Sequence, residues 1–207
     1  MDLFEQLVGQ PRNVLPYDGT VYYYGPIFAA DHAQYYFDCL LKEVAWQYDQ
    51  AVILGKTIVT KRKVAWYADQ AFTYTYSKTT RTALPWLPIL LELKTHVEKT
   101  SQANYNACLL NFYHDGQEGM NWHSDAEKEL VTQAPIASLS FGAERKFSFK
   151  HKTSKEKRSC LLEAGSLLVM KDKTQSHWLH SLPATKTILK PRINLTFRLM
   201  HGYFGSL

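Results

Sequence analysis

The stretch Pro191-Arg192-Ile193-Asn194-Leu195-Thr196-Phe197-Arg198-Leu199 decides the fold of this 207-residue chain. Its even positions are Arg, Asn, Thr and Arg, and its odd positions from 193 onward are Ile, Leu, Phe and Leu. Period two is the repeat of a β-strand, whose successive side chains point to opposite faces. One face is therefore apolar, and the other carries two guanidinium groups flanking two hydrogen-bonding side chains. Guanidinium forks match carboxylates in bidentate geometry, so this face suits the clamping of a dicarboxylate. A half-exposed strand with its polar face in water fits the same alternation. Leu109-Leu110-Asn111-Phe112-Tyr113 offers a companion strand, with Asn111 and Tyr113 on one face and Leu110 and Phe112 on the other.

Working outward, short runs rich in β-branched, aromatic and aliphatic residues occupy 107–113, 135–141, 146–151, 166–171 and 192–199. Turn signals at Asp115-Gly116, Gly142 and Ala164-Gly165 separate them. Towards the N-terminus, residues 31–48 read as a helix with Phe37, Leu40, Leu41 and Val44 as its apolar stripe. Pro85 and Pro88 open a second helical pattern with the stripe Leu87, Leu90, Leu91 and Val97. The segment 52–82 reads as strands and loops. Helices followed by many short strands predict an α+β chain whose C-terminal half is a sandwich or barrel.

His123-Ser124-Asp125 places an imidazole and a carboxylate two residues apart. On an extended segment both point to one side and reach one ion. Two histidines and one carboxylate on one face of an iron leave three positions open, as an oxygenase requires. His180 is the best candidate for the third ligand, and His177 is its rival. His32, His96, His114, His151 and His201 compete more distantly. An H-x-D triplet standing alone is a weak signal; joined to two strands with aligned polar faces it is harder to dismiss.

Composition agrees. The chain is 45% hydrophobic and 21% charged, enough for a packed core and unlike a disordered tail. Aromatics reach 14% and the net charge is +5, a balance that suits flat, anionic partners. Cys39, Cys108 and Cys160 are sparse and odd in number, which argues against a disulfide framework and a thiolate zinc site and for a reducing compartment. The N-terminus lacks the features of a signal peptide, and no stretch approaches the roughly 20 apolar residues of a membrane helix. The expectation is a monomer free of membranes, cytoplasmic, or nuclear in a eukaryote.

These residues carry a resemblance. Asn111-Phe112-Tyr113, His123-Ser124-Asp125, Pro135 to Ala143, Ser176-His177-Trp178-Leu179-His180-Ser181-Leu182-Pro183 and Pro191 to Arg198 resemble, in order and spacing, motifs of the AlkB family of oxidative dealkylases. The sequence is most similar to the branch that repairs DNA in animals and some bacteria, from about residue 54 to residue 200. The resemblance implies a double-stranded β-helix, or jelly roll, with supporting N-terminal helices and a nucleotide-recognition lid. It implies one dioxygenase domain over 1–207, with a lid at about 50–82 and a core at about 105–200. It implies Fe(II), 2-oxoglutarate and O2 as cofactor and co-substrates. His123, Asp125 and His180 match the iron triad, which sets His177 aside. Asn111, Tyr113, Arg192, Asn194, Thr196 and Arg198 match the 2-oxoglutarate positions, with Arg192 at the distal carboxylate and Arg198 nearer the chelating end.

For the substrate, the resemblance implies alkylated DNA, or RNA, carrying 1-methyladenine or 3-methylcytosine. Tyr74 and Tyr76, in Phe72-Thr73-Tyr74-Thr75-Tyr76-Ser77, match a strand whose aromatics flank a flipped base. Tyr74 would hydrogen-bond it and Tyr76 would stack on it, with the His123 ring opposite. Ile53-Leu54-Gly55-Lys56 resembles the wedge that enters the duplex, and Lys61-Arg62-Lys63 the basic lid beside it. Two departures stand out: Ala126 replaces a second acid after Asp125, leaving Glu127 to reach the base, and Leu54 replaces an aromatic wedge. Phosphate contacts are expected from Arg145-Lys146 and from Lys150 to Arg158. An RNA demethylase of the same chemistry, a dioxygenase for protein or small molecules, and a non-catalytic binding module are the competing readings.

Overall fold

A computed structural model describes residue 11 and residues 13–53, 56–76 and 79–202. Leu54 and Gly55, the tip of the expected wedge, lie outside the described residues. For Lys56, Tyr74 and Tyr76 the backbone alone is described.

Among the described residues, thirteen strands and three helices follow in order. The first half holds β1 (Thr20–Pro26), α1 (Ala30–Glu43), β2 (Gln47–Ile53), β3 (Lys56–Ala68), β4 (Thr73–Tyr76), β5 (Thr79–Thr82) and α2 (Pro88–Ser101). The second holds β6 (Ala107–Tyr113), β7 (Met120–His123), β8 (Ile136–Gly142), β9 (Arg145–His151), β10 (Lys157–Leu162), β11 (Ser166–Lys171), α3 (Thr174–His177), β12 (Trp178–Leu182) and β13 (Arg192–Arg198). They form a seven-stranded sheet in the order β1-β11-β8-β13-β6-β3-β2 and a four-stranded sheet in the order β10-β9-β12-β7, with β4 and β5 as a separate hairpin. All pairings within the sheets are antiparallel. Two antiparallel sheets with non-consecutive neighbours make the jelly roll.

The strand β13 explains the arrangement. Its odd residues Ile193, Leu195 and Phe197 are fully buried in a core shared with Phe37 and Leu40 of α1 and Leu90, Leu93 and Val97 of α2. The helices thus cover one face of the large sheet. Arg192, Asn194, Thr196 and Arg198 are buried as well, on the opposite face, which leaves no half of this strand in water. Burying four polar side chains is favourable only where hydrogen bonds or a ligand satisfy them. The second apolar cluster, including Phe149, Leu168, Met170 and Trp178, fills the rest of the layer reached by the small sheet.

The expected helices are shorter or differently faced. The first ends at Glu43 rather than at 48, because Val44 is extended and Trp46 Nε1 donates to the Leu40 carbonyl at 3.2 Å. Gln47 onward is then recruited by β3 into the sheet. Its buried stripe is Ala33, Tyr36, Phe37 and Leu40, while Leu41 is exposed. In α2, Pro88 occupies the first turn, where its missing N–H costs nothing, and Leu91 faces solvent. Gly142 ends β8 at φ +81°, and a Cβ there would lie 2.5 Å from the Pro191 carbonyl oxygen. That close approach brings the start of β13 beside β8. Among the described residues, no helix is long and apolar enough to cross a membrane.

Candidate metal centre and co-substrate pocket

The register of the small sheet brings the two histidines together. His180 of β12 pairs directly with His123 of β7, and their ring centroids are 4.2 Å apart. Asp125 follows just beyond β7, with Oδ1 lying 3.6 Å from His123 Nε2 and 3.7 Å from His180 Nε2. The ligand atoms of all three lie within 4.8 Å of one another. His123 Nδ1 donates to the Asn121 carbonyl at 2.7 Å, which fixes the tautomer and leaves the Nε2 lone pair for an ion. Burial and the neighbouring His180 hold the His123 pKa below its ordinary value, so the ring stays neutral.

Burial alone would raise the Asp125 pKa, but Arg198, His180 and His123 together outweigh it, Arg198 foremost. The guanidinium donates to Asp125 Oδ2 from Nε at 3.1 Å and from Nη2 at 2.6 Å. With His180 adding to this, the carboxyl is held well below the usual carboxylate range. One oxygen is thus occupied by Arg198 and the other is left to the histidines. Arg198 therefore lies beside the triad, and its direct partner is Asp125.

The dicarboxylate face is built from β13 and its two neighbours. Arg192 pairs in register with Tyr113, and Asn194 with both Asn111 and Ser140. Arg192 Nη2 donates to Ser140 Oγ at 2.9 Å and to Asn194 Oδ1 at 2.8 Å. Ser138 Oγ also donates to Asn194 Oδ1, at 2.8 Å, and Asn194 Nδ2 donates to Thr196 Oγ1 at 2.9 Å. Arg192 Nε, by contrast, is buried with no hydrogen-bond partner among the described residues. Burial pushes the Arg192 pKa down to about 10, with Tyr113 partly offsetting it. A desolvated guanidinium with an orphaned donor is the signature of a site built for an anion. Arg192, Arg198, Asn111, Thr196 and the His-Asp-His triad all line one pocket. The donor set fits Fe(II), and the buried guanidinium fits the far carboxylate of 2-oxoglutarate.

Ser138 and Ser140 escaped assignment from sequence. The only signal was their period-two placement within β8, the buried strand next to β13. His177, the rival ligand, belongs to another cluster, in which Asp18, His151 and His177 also bring ligand atoms within 4.8 Å. There the Ser154 backbone N–H donates to His151 Nδ1 at 3.0 Å, which places the ring proton on Nε2. Nε2–H then faces Asp18 Oδ2 at 3.3 Å, and the ring has no lone pair left for a metal.

Three expected nucleic-acid contacts are placed differently. Arg62 is buried, ion-paired with Asp49, and its Nη1 lies 3.4 Å from the Met120 sulfur, so it braces β3 against β2 and β7. Arg145 is buried and donates to the carbonyls of Asp115, Gly116, Glu118 and Pro183, holding two loops. Lys152 is turned inward, while Lys146, Lys155, Lys157 and Arg158 remain exposed. Glu127 is half-buried and, with Asp125 and Arg198, lines a neighbouring cavity of about 290 Å³.

Comparison with known proteins agrees with this geometry. The sequence profile of the 2OG-Fe(II) oxygenase superfamily matches residues 19–198. The chain is 40% identical over 186 residues to the DNA oxidative demethylase ALKBH2 of Homo sapiens, covering 84% of this chain and 71% of that protein. It is 36% identical over 179 residues to the alpha-ketoglutarate-dependent dioxygenase alkB homolog 3 of Mus musculus, covering 82% and 62%. A solved structure titled as that of OsALKBH1 superposes with a TM-score of 0.56 at 15% identity, covering 82% of this chain and 91% of that one, which supports the fold.

Proposed function

Because the chain belongs to the AlkB family of the 2OG-Fe(II) oxygenase superfamily, we propose that it demethylates damaged DNA bases of the 1-methyladenine and 3-methylcytosine type. Iron(II) with bound 2-oxoglutarate supplies the activation of O2 that hydroxylates an N-methyl carbon, yielding formaldehyde and the restored base along with succinate and CO2. The observation that carries the reading is the placement of the His123, Asp125 and His180 ligand atoms in the same pocket as the buried Arg192 guanidinium, whose Nε has no hydrogen-bond partner among the described residues.

In this reading each residue has a task. His123, Asp125 and His180 hold the iron. Arg192 takes the distal carboxylate of 2-oxoglutarate through Nε, while Asn194, Ser138 and Ser140 fix its orientation. Tyr113 lies beside Arg192, and Asn111 and Thr196 line the pocket. Arg198 keeps Asp125 ionised and turned towards the histidines.

The substrate side rests on the relatives' names, on the lid strands and on exposed cations. An N-alkylated base pairs poorly, which lowers the cost of flipping it from the stack. Tyr76 and the His123 ring would sandwich it, Tyr74 and Glu127 would hydrogen-bond its edge, and Leu54, Gly55 and Lys56 would fill the gap. The side chain of His123 keeps 29% exposure, enough to present a ring face to a base. The chain works as one domain, with residues of about 50–82 as lid and about 105–200 as core, and as a monomer in the compartment that holds DNA. The test is formaldehyde release from 3-methylcytosine oligonucleotides of DNA and of RNA, with iron, ascorbate and 2-oxoglutarate. Faster release from DNA supports the proposal, and faster release from RNA assigns the same chemistry to RNA. No release from either overturns it.

A further inference from the structure

The His-x-Asp triplet is gripped from behind by residues outside the triad. Asp125 lies past the end of β7, so the pleat of a strand does not aim its carboxylate. Its backbone N–H instead donates to Oε1 of Gln175 in α3, at 2.9 Å. Because that group is a donor, the amide must turn its oxygen to Asp125, and Nε2 then reaches the Met170 sulfur at 3.5 Å. The Gln175 carbonyl accepts from Lys152 Nζ at 2.8 Å, and the same ammonium reaches Ser124 Oγ at 3.3 Å. The Lys152 backbone N–H donates to the His177 carbonyl at 2.8 Å. Two residues of the triplet and the turn between β9 and β10 are therefore tied to one short helix. Lys155, Lys157 and Arg158, on the far side of that turn, are exposed.

We propose that Gln175 and Lys152 are positioning residues, Gln175 setting the Asp125 carboxylate for the metal and Lys152 coupling that setting to the β9–β10 hairpin, so that nucleic acid on the hairpin stimulates oxidation. The role of Gln175 stands on geometry alone; the coupling rests on the nucleic-acid reading above. Groups that orient metal ligands typically contribute about 10–100-fold in metal affinity.

Three measurements on the full chain test this: Co(II) affinity by absorption titration, the melting temperature of the metal-free protein, and succinate formation with and without a methylated oligonucleotide. Gln175→Met, which keeps length and loses the acceptor, should weaken Co(II) binding about tenfold or more with an unchanged metal-free melt. Unchanged affinity overturns the proposal, as does a loss matched by a fall in melting temperature, which would make Gln175 a folding residue. Lys152→Met should lose the stimulation by oligonucleotide, read as the ratio of its succinate rates with and without it, while Lys152→Arg retains that ratio. Full stimulation in Lys152→Met removes the hairpin link. If the unaltered protein itself shows no stimulation, the nucleic-acid reading has failed, and the Co(II) titration still judges Gln175.

Discussion

Arg198 engages Asp125 through a single oxygen, donating to Oδ2 from both Nε and Nη2 while Oδ1 is left to His123 and His180. The strand that carries Arg192 thereby also sets the charge of Asp125 in the His-Asp-His triad.

The pH dependence follows from this pair. The folded pKa of Asp125 is depressed, so its contribution is present above the unfolded value of about 3.9 and is lost as pH falls through the lower folded value. Asp125 thus stays a carboxylate throughout mild acid. In Arg198→Gln the strongest of the charges opposing burial is gone, so the pKa rises from its depressed value. Metal binding needs the carboxylate, so the affinity deficit of the variant should widen between pH 7 and pH 5. Co(II) titrations of both proteins across that range check it, and parallel profiles would refute the assignment.

Arg192 gives the second expectation. Arg192→Ala removes the buried partner of a carboxylate, at about 2–5 kcal/mol, so half-activation by 2-oxoglutarate should rise at least about thirtyfold. Arg192→Lys should rescue little, since an ammonium cannot reproduce the fork that bonds Ser140 and Asn194 while leaving Nε for the ligand. Titration of 2-oxoglutarate against succinate formation reads both.

Much of the proposed clamp was legible in sequence because its placement is regular. Arg192, Asn194, Thr196 and Arg198 sit at period two in one strand, and a single alternation names them all. The polar face, equally compatible with exposure, proved buried because β13 is central, flanked by β6 and β8, and that face lines a pocket shared with His123, Phe147 and His180 of the small sheet. What sequence could not show was pairing. Nothing local puts His180 opposite His123, or Arg62 under Tyr113 against Asp49. Basic residues look alike in sequence, yet Arg62, Arg145 and Lys152 face inward where long-range partners await them. The short edge strands β7 and β10 were missed because few of their residues are buried, so neither shows a strong apolar pattern.

The histidine rivalry makes a third expectation. His180→Ala should abolish Co(II) binding, since a triad reduced to two ligands loses its defined face. His177→Ala should leave that affinity nearly unchanged, because His177 sits with Asp18 and His151. The reverse pattern would reassign the third ligand.

Arg62 makes a fourth. Its side chain is 11% exposed and that of Asp49 9%, so Arg62→Ala breaks a buried ion pair. Such losses run at about 3–5 kcal/mol, or on the order of 10 °C in a chain of this size. Thermal unfolding should show that drop even without nucleic acid or metal. A variant with an unchanged melt but weakened oligonucleotide binding would return Arg62 to the lid surface.

The base pocket supplies the last expectation, and the one that separates substrate from chemistry. If Tyr76 stacks on the flipped base, Tyr76→Ala should weaken handling of methylated oligonucleotides by about 1–3 kcal/mol, the range for base–aromatic stacking. Tyr76→Phe should cost little, because the ring face survives. Tyr74→Phe should lower activity if its hydroxyl bonds the base. Glu127→Ala should do the same, since Ala126 beside it offers no second acid. None of these residues belongs to the triad or the clamp, so succinate formation without nucleic acid should persist in every variant. That persistence is the internal control: it shows metal and 2-oxoglutarate still engaged while the base is mishandled. Full demethylation by both Tyr76→Ala and Glu127→Ala would remove the base-flipping account of this pocket and leave the dioxygenase intact.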